Sequence, residues 1–163
     1  MIVGMVAMLL LYLGANTYIF IRLLQALSAV PMVVRVAFIV LFWIVAVSLF
    51  VAFAMRGVGG FVWLQRTLFA VGSVWLVFIL YMTLATIVAD LLHLIFPPFK
   101  GGVWCALAAT LLLLTYGYIN YRNPRTETIT IQSDKLRAES LRIVAVSDIH
   151  LGYGTTRQML ERY

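Results

Sequence analysis

Charged residues are scarce in this sequence. Lysine and arginine contribute 12 residues and aspartate and glutamate 6, which together make up 11% of the 163 positions, while 64% of the positions are hydrophobic. Soluble globular domains carry about 25% charged residues, so a water-soluble protein is excluded. The composition predicts a membrane protein, so the lipid bilayer is an expected partner.

Cysteine and histidine are also nearly absent. The single cysteine, Cys105, has no partner for an intrachain disulfide and no neighbouring cysteine with which to form a zinc site. The only imidazole ligands that the chain can offer a metal are His93 and His150.

The few charges that are present divide the chain in two. Residues 1–121 contain five basic residues and one acidic residue, whereas residues 122–163 contain seven basic and five acidic residues. We therefore predict a four-helix transmembrane region over residues 1–121 and the start of a cytoplasmic domain over residues 122–163.

Four apolar segments approach the length of about 20 helical residues that is needed to cross a hydrocarbon core roughly 30 Å thick. They cover residues 2–21, 36–55, 67–89 and 103–121. Helices are expected because a lipid-exposed backbone must satisfy its own hydrogen bonds. Each connection between two segments contains proline or glycine, which disfavour a continuous helix: Pro31, the glycines of residues 57–60, and the prolines at 97–98. No lysine or arginine precedes the first segment, which predicts a retained helix instead of a cleaved signal peptide.

The orientation of the bundle can be predicted from its arginines and lysines. Four crossings place both termini on the same side of the membrane, and cytoplasmic loops are enriched in basic residues. The terminal side is flanked by Arg56, Arg66, Arg122 and Arg125, and the other side by Arg22, Arg35 and Lys100. We therefore predict a multi-pass protein of the inner (cytoplasmic) membrane with both termini in the cytoplasm.

Asp90 and His93 lie near the end of the third segment, with a spacing that places them on one helix face. One hypothesis is an ion or proton site in a small transporter, because ionisable groups within a bilayer are costly and usually functional. The prolines that follow favour an interfacial position without buried partners. Uncharged polar residues in the segments are predicted to form hydrogen bonds between helices; these are Asn16, Thr17, Ser48, Ser73 and Thr83.

The pattern changes after Arg122. Residues 126–132, TETITIQ, alternate between polar and apolar positions, which predicts a strand. Residues 141–147, LRIVAVS, form a mostly apolar run that is typical of a strand buried on both faces. Glycines follow, and the segment TRQMLERY at 156–163 is predicted to begin a helix. The tail is therefore predicted to be the start of an α/β domain.

Asp148 and His150 directly follow the second predicted strand. In extended backbone, side chains two residues apart point the same way, and open α/β sheets place their chemistry at the carboxyl ends of strands. A carboxylate and a neutral imidazole directed to one point can form half of a metal site. The spacing alone is weak evidence, because Asp-x-His also occurs in ordinary loops.

The stretch LRIVAVSDIHLG, residues 141–152, closely resembles the first motif of the calcineurin-like metallophosphoesterases. The preceding TITIQSDKL resembles the short strand before that motif in membrane-anchored bacterial members. The resemblance implies an α/β domain of two packed sheets with two divalent or trivalent metal ions (Mn, Fe or Zn), which activate a water for attack on a phosphate ester or anhydride. It also implies that Asp148 and His150 ligate one metal of the pair.

The later motifs of the family, Gly-Asp-x-x-Asp and Gly-Asn-His, do not occur in these 163 residues. The chain is therefore predicted to be the N-terminal part of a longer hydrolase, truncated before the second motif. It is expected to be inactive alone and to bind no metal tightly.

Two alternatives differ in class from the phosphoesterase. One is a non-catalytic multi-pass membrane protein, and the other is the small transporter that would use Asp90 and His93. A phosphoesterase anchored in this way would favour a phospholipid or lipid-linked phosphate as substrate. Nucleic acid is not expected as a partner, because the basic residues lie at helix ends and do not form one patch.

Overall fold

The computed structural model of the protein describes residues 2–57, 60–97, 101–123 and 129–130. These residues form four helices: α1 (Ile2–Ala26), α2 (Met32–Ala54), α3 (Val62–Ile95) and α4 (Gly102–Arg122). Each helix is long and apolar enough to cross a membrane. The prediction of a multi-pass membrane protein with four transmembrane helices is thereby confirmed.

The predicted strands at 126–132 and 141–147 lie outside the described residues, except for residues 129 and 130. These two belong to neither a helix nor a strand, and the side chain of Ile129 is exposed.

The helices extend beyond the apolar segments that predicted them. Arg22 was expected to end the first segment, but α1 continues through it to Ala26. α2 begins directly after Pro31, whose carbonyl accepts the first bonds of that helix. α3 has 34 residues and ends just before the two prolines. The extensions arise because backbone hydrogen bonding continues past the hydrocarbon boundary, which the charged residues mark.

α3 is the central helix of the bundle. It packs most extensively against α2 and α4, and α1 packs mainly against α3. At about 1.5 Å per residue its length is roughly 51 Å, well beyond the roughly 30 Å of a hydrocarbon core. The buried core is formed by Ile19, Leu23, Phe42, Ile79, Met82 and Ala106.

Gly72 sets the distance between α2 and α3. A Cβ atom placed on Gly72 would lie 2.5 Å from the backbone nitrogen of Leu49. No side chain can be accommodated there without moving the two backbones apart, and small residues allow such close approach between membrane helices.

A buried polar chain joins the first three helices. Trp75 Nε1 donates to Asn16 Oδ1 at 2.9 Å, and the Tyr12 hydroxyl donates to the carbonyl of Ala46 at 2.6 Å. Asn16 itself is fully buried and also donates to the carbonyl of Tyr12. The predicted interhelical role of Asn16 is confirmed.

The hydroxyls at three other predicted positions bond within their own helices instead. Their acceptors are carbonyls three or four residues earlier; the donors are Ser48, Ser73 and Thr83. A serine or threonine hydroxyl can donate to a carbonyl in the preceding turn of its own helix, so it needs no partner on a neighbouring helix. This part of the prediction was therefore wrong.

Candidate functional site

The two predicted metal ligands, Asp148 and His150, lie outside the described residues. Within the described part of the chain, no three His, Cys, Asp or Glu side chains come together in a group that could hold a metal ion. The polar site that the structure does describe lies instead where α1 and α3 end and α4 begins.

Asp90 is the centre of this site. Its Oδ2 atom accepts a hydrogen bond of 2.5 Å from the Tyr18 hydroxyl and one of 2.9 Å from Arg22 Nε. A second nitrogen of the same guanidinium, Nη2, forms an ion pair with that oxygen. Tyr18 and Arg22 are one helical turn apart on α1, so both reach the same carboxylate on α3. We call these three residues the Asp90 cluster.

The Asp90 cluster corrects the prediction that Asp90 lies at the interface without partners inside the bundle. Its partners come from another helix, and the side chains of Arg22 and Asp90 are 36% and 30% exposed. An uncompensated carboxylate at a helix end in a membrane is costly. A guanidinium on the neighbouring helix offsets that cost through charge and directed donors.

His93 lies one turn beyond Asp90 and is close enough to interact with it electrostatically. The predicted common face of Asp90 and His93 is therefore confirmed. Asp90 makes direct bonds to α1.

Two cavities meet at the Asp90 cluster. The smaller one has a volume of about 340 Å³ and is lined by polar and small residues, including Arg22, Gln25, His93 and Trp104. The larger one is an open groove of about 980 Å³ between α1 and α3. It is lined almost wholly by apolar side chains along its length, and Tyr18 and Asp90 are its polar end. Asp90 lines both cavities, so the groove and the smaller cavity adjoin.

The formal charges of the cluster cancel. Arg22 contributes one positive charge and Asp90 one negative charge; both side chains are about a third exposed, and both line the smaller cavity. The arrangement can therefore bind a ligand that carries both signs of charge without creating a net charge in the membrane.

Arg22 and Tyr18 were not predicted as partners of Asp90. The usable signal was topological, because α1 and α3 cross in the same direction and Arg22 and Asp90 each lie near the end of their crossing. Opposite charges at the same depth on neighbouring helices are expected to pair.

Comparison with known proteins adds no family or relative. No protein-family model matches the chain, and no curated protein or solved structure matches it either.

Proposed function

We propose that the chain is the membrane anchor and first metal-binding motif of a metal-dependent phosphoesterase, which hydrolyses a phosphate ester or pyrophosphate. The observation that carries the proposal is the stretch VSDIHLG, residues 146–152, at the end of an apolar run and shortly after the last transmembrane helix. Motif and anchor together resemble the membrane-anchored calcineurin-like metallophosphoesterases.

Asp148 and His150 suit this role by their chemistry. A carboxylate oxygen and a neutral imidazole nitrogen are ligands for Mn, Fe and Zn, and the predicted strand before them would aim both side chains to one side. When bound, a pair of such ions lowers the pKa of a water and offsets the charge of the reacting phosphate. Two ligands do not complete a dinuclear centre, so the remaining ligands must come from other residues.

The four helices support a substrate at the membrane surface. α4 ends at Arg122, so a catalytic domain that follows it in the chain would lie near the bilayer, where phospholipids and lipid-linked phosphates present their phosphates. Anchoring raises the local concentration of such a substrate at the site. With both termini cytoplasmic, as proposed from the arginine distribution, the substrate would be in the cytoplasmic leaflet.

The reading frame that contains residue 163 provides a direct test. The proposal predicts an in-frame continuation with Gly-Asp-x-x-Asp within about one β-α unit, on the order of 30 residues. A stop codon directly after Tyr163 in the native gene would contradict it.

The transporter hypothesis is less well supported by the Asp90 cluster. A carboxylate that carries a cation during transport must be able to exchange its charged partner for that cation. Asp90 is instead bonded to the guanidinium of Arg22 on the neighbouring helix.

A further inference from the structure

We propose that the Asp90 cluster and its two cavities bind one phospholipid with a zwitterionic, amine-bearing headgroup. The acyl chain would lie in the groove between α1 and α3, the phosphate at Arg22 and the ammonium at Asp90. The site lies where α1 and α3 end, at the opposite end of the bundle from Arg122, the last residue of α4, so it is independent of the proposed phosphoesterase and does not bind its substrate.

The shape of the groove fits an acyl chain. Its lining comes from one stripe on α1 and one on α3 and is apolar except for Thr83, whose hydroxyl bonds to its own helix, and for Tyr18 and Asp90 at one end. Gly14 lies on this lining and has no atom of a neighbouring residue near the position where its Cβ would be. The missing side chain is therefore part of the space that forms the groove.

The smaller cavity fits a phosphate beside a guanidinium. Arg22 uses Nε and Nη2 for Asp90, and its Nη1 is 3.4 Å from Gln25 Oε1, a long hydrogen bond. A guanidinium has five N–H donors in a planar fork, and this fork suits phosphate oxygens. The first turn of α4 forms another wall of the cavity, with Gly101 as an N-cap that has no side chain to satisfy the backbone N–H groups.

The charges select the class of headgroup. An anionic lipid would place its single negative charge close to Asp90, which repels it. A headgroup with an ammonium places that cation at the carboxylate and its phosphate at Arg22, so each charge meets its opposite. A primary ammonium can also donate hydrogen bonds to the carboxylate, whereas a quaternary choline cannot. Trp104, which lines the smaller cavity and is half-exposed, lies in the first turn of α4, where indole rings favour the headgroup level.

Native mass spectrometry of the delipidated protein, titrated with phosphatidylethanolamine, phosphatidylcholine and phosphatidylglycerol, tests the proposal. We expect phosphatidylethanolamine to bind about tenfold more tightly than either other lipid, the scale of one charge-assisted hydrogen bond. Equal binding of the three, or a preference for phosphatidylglycerol, would overturn the proposal.

Two matched pairs of variants locate the lipid. Gly14→Phe fills the groove and should reduce phosphatidylethanolamine binding about tenfold, the loss of roughly 1.4 kcal/mol. Gly117→Phe, at a helix glycine that also has open space but lies outside both cavities, should change nothing. Arg22→Gln should weaken binding, whereas Arg35→Gln, near the same side of the membrane, should not. Unchanged binding in Gly14→Phe would overturn the acyl-chain assignment.

Asp90→Asn tests whether Asp90 binds the ammonium of the headgroup. It should remove the preference for phosphatidylethanolamine over phosphatidylcholine, because an amide gives the primary ammonium no carboxylate acceptor. A variant that retains the full preference would show that Asp90 does not contact the ammonium and would overturn the assignment.

Discussion

Arg22 and Asp90 are 68 residues apart in the sequence, and their side chains form an ion pair between α1 and α3. The pair links the most loosely packed helix of the bundle to the central one. Asp90 lines both the apolar groove and the polar cavity next to it, and Arg22 lines the polar cavity. The same two charges therefore contribute to stability and define the candidate lipid site.

Removing one member of this pair should destabilise the bundle. Arg22→Gln or Asp90→Asn should each lower the free energy of unfolding by about 1–2 kcal/mol, because a charge at the helix end loses its partner. The double variant should be less destabilised than the two losses added together, since it leaves no uncompensated charge. Unfolding in detergent micelles measures all three.

Arg35→Gln is the matched control, because Arg35 lies near the same end of the bundle and lines neither cavity. It should change the unfolding free energy by less than about 0.5 kcal/mol. Additive losses in the double variant would show that the two charges do not stabilise each other.

The close approach of Gly72 to Leu49 predicts that substitutions at two helix glycines differ in their effect on stability. Gly72→Leu should cost at least about 1–3 kcal/mol, because a side chain there overpacks the interface of α2 and α3. Gly117→Leu has open space around the new side chain and should be neutral within about 0.5 kcal/mol. Equal melting temperatures for the two variants would mean that α2 and α3 do not approach as closely as described.

The number of helices and their interruptions could be predicted from the sequence, because hydrophobic length and proline act locally. The extents of α1 and α3 could not, since a charged residue marks the hydrocarbon boundary and not the last helical hydrogen bond. The role of Gly72 was also hidden. Glycines occur within helices at several positions, and only the packing of α2 on α3 singles out this one. For Asp148 and His150 the metal site stays a prediction.

The orientation of the bundle is open to a direct test. If the arginine distribution sets it, a reporter that is active only in the cytoplasm should be active after Tyr163, and one that is active only in the periplasm should be active near Pro97. The reverse pattern of activity would place the termini outside the cytoplasm and remove the cytoplasmic leaflet as the source of substrate.

The 163-residue chain itself should bind Mn²⁺ weakly and hydrolyse no generic phosphodiester. Asp148 and His150 supply two ligands, and a site with two protein ligands neither completes the coordination nor fixes its own orientation. Calorimetric titration with Mn²⁺ and a colorimetric phosphodiester assay measure the two properties. Mn²⁺-dependent turnover that Asp148→Asn abolishes would show that the site is completed in another way, such as between subunits.

The most direct measurement is metal-dependent phosphodiester hydrolysis by the protein expressed from its complete reading frame, with and without Asp148→Asn or His150→Ala. The proposed function predicts Mn²⁺-dependent turnover that falls at least about 10-fold to 100-fold in either variant, the scale of losing even an indirect metal contact. Asp134→Asn, between the two predicted strands, is the matched control and should retain full activity. Turnover that is independent of metal, or that both variants retain, would contradict the assignment of Asp148 and His150 as metal ligands of a phosphoesterase.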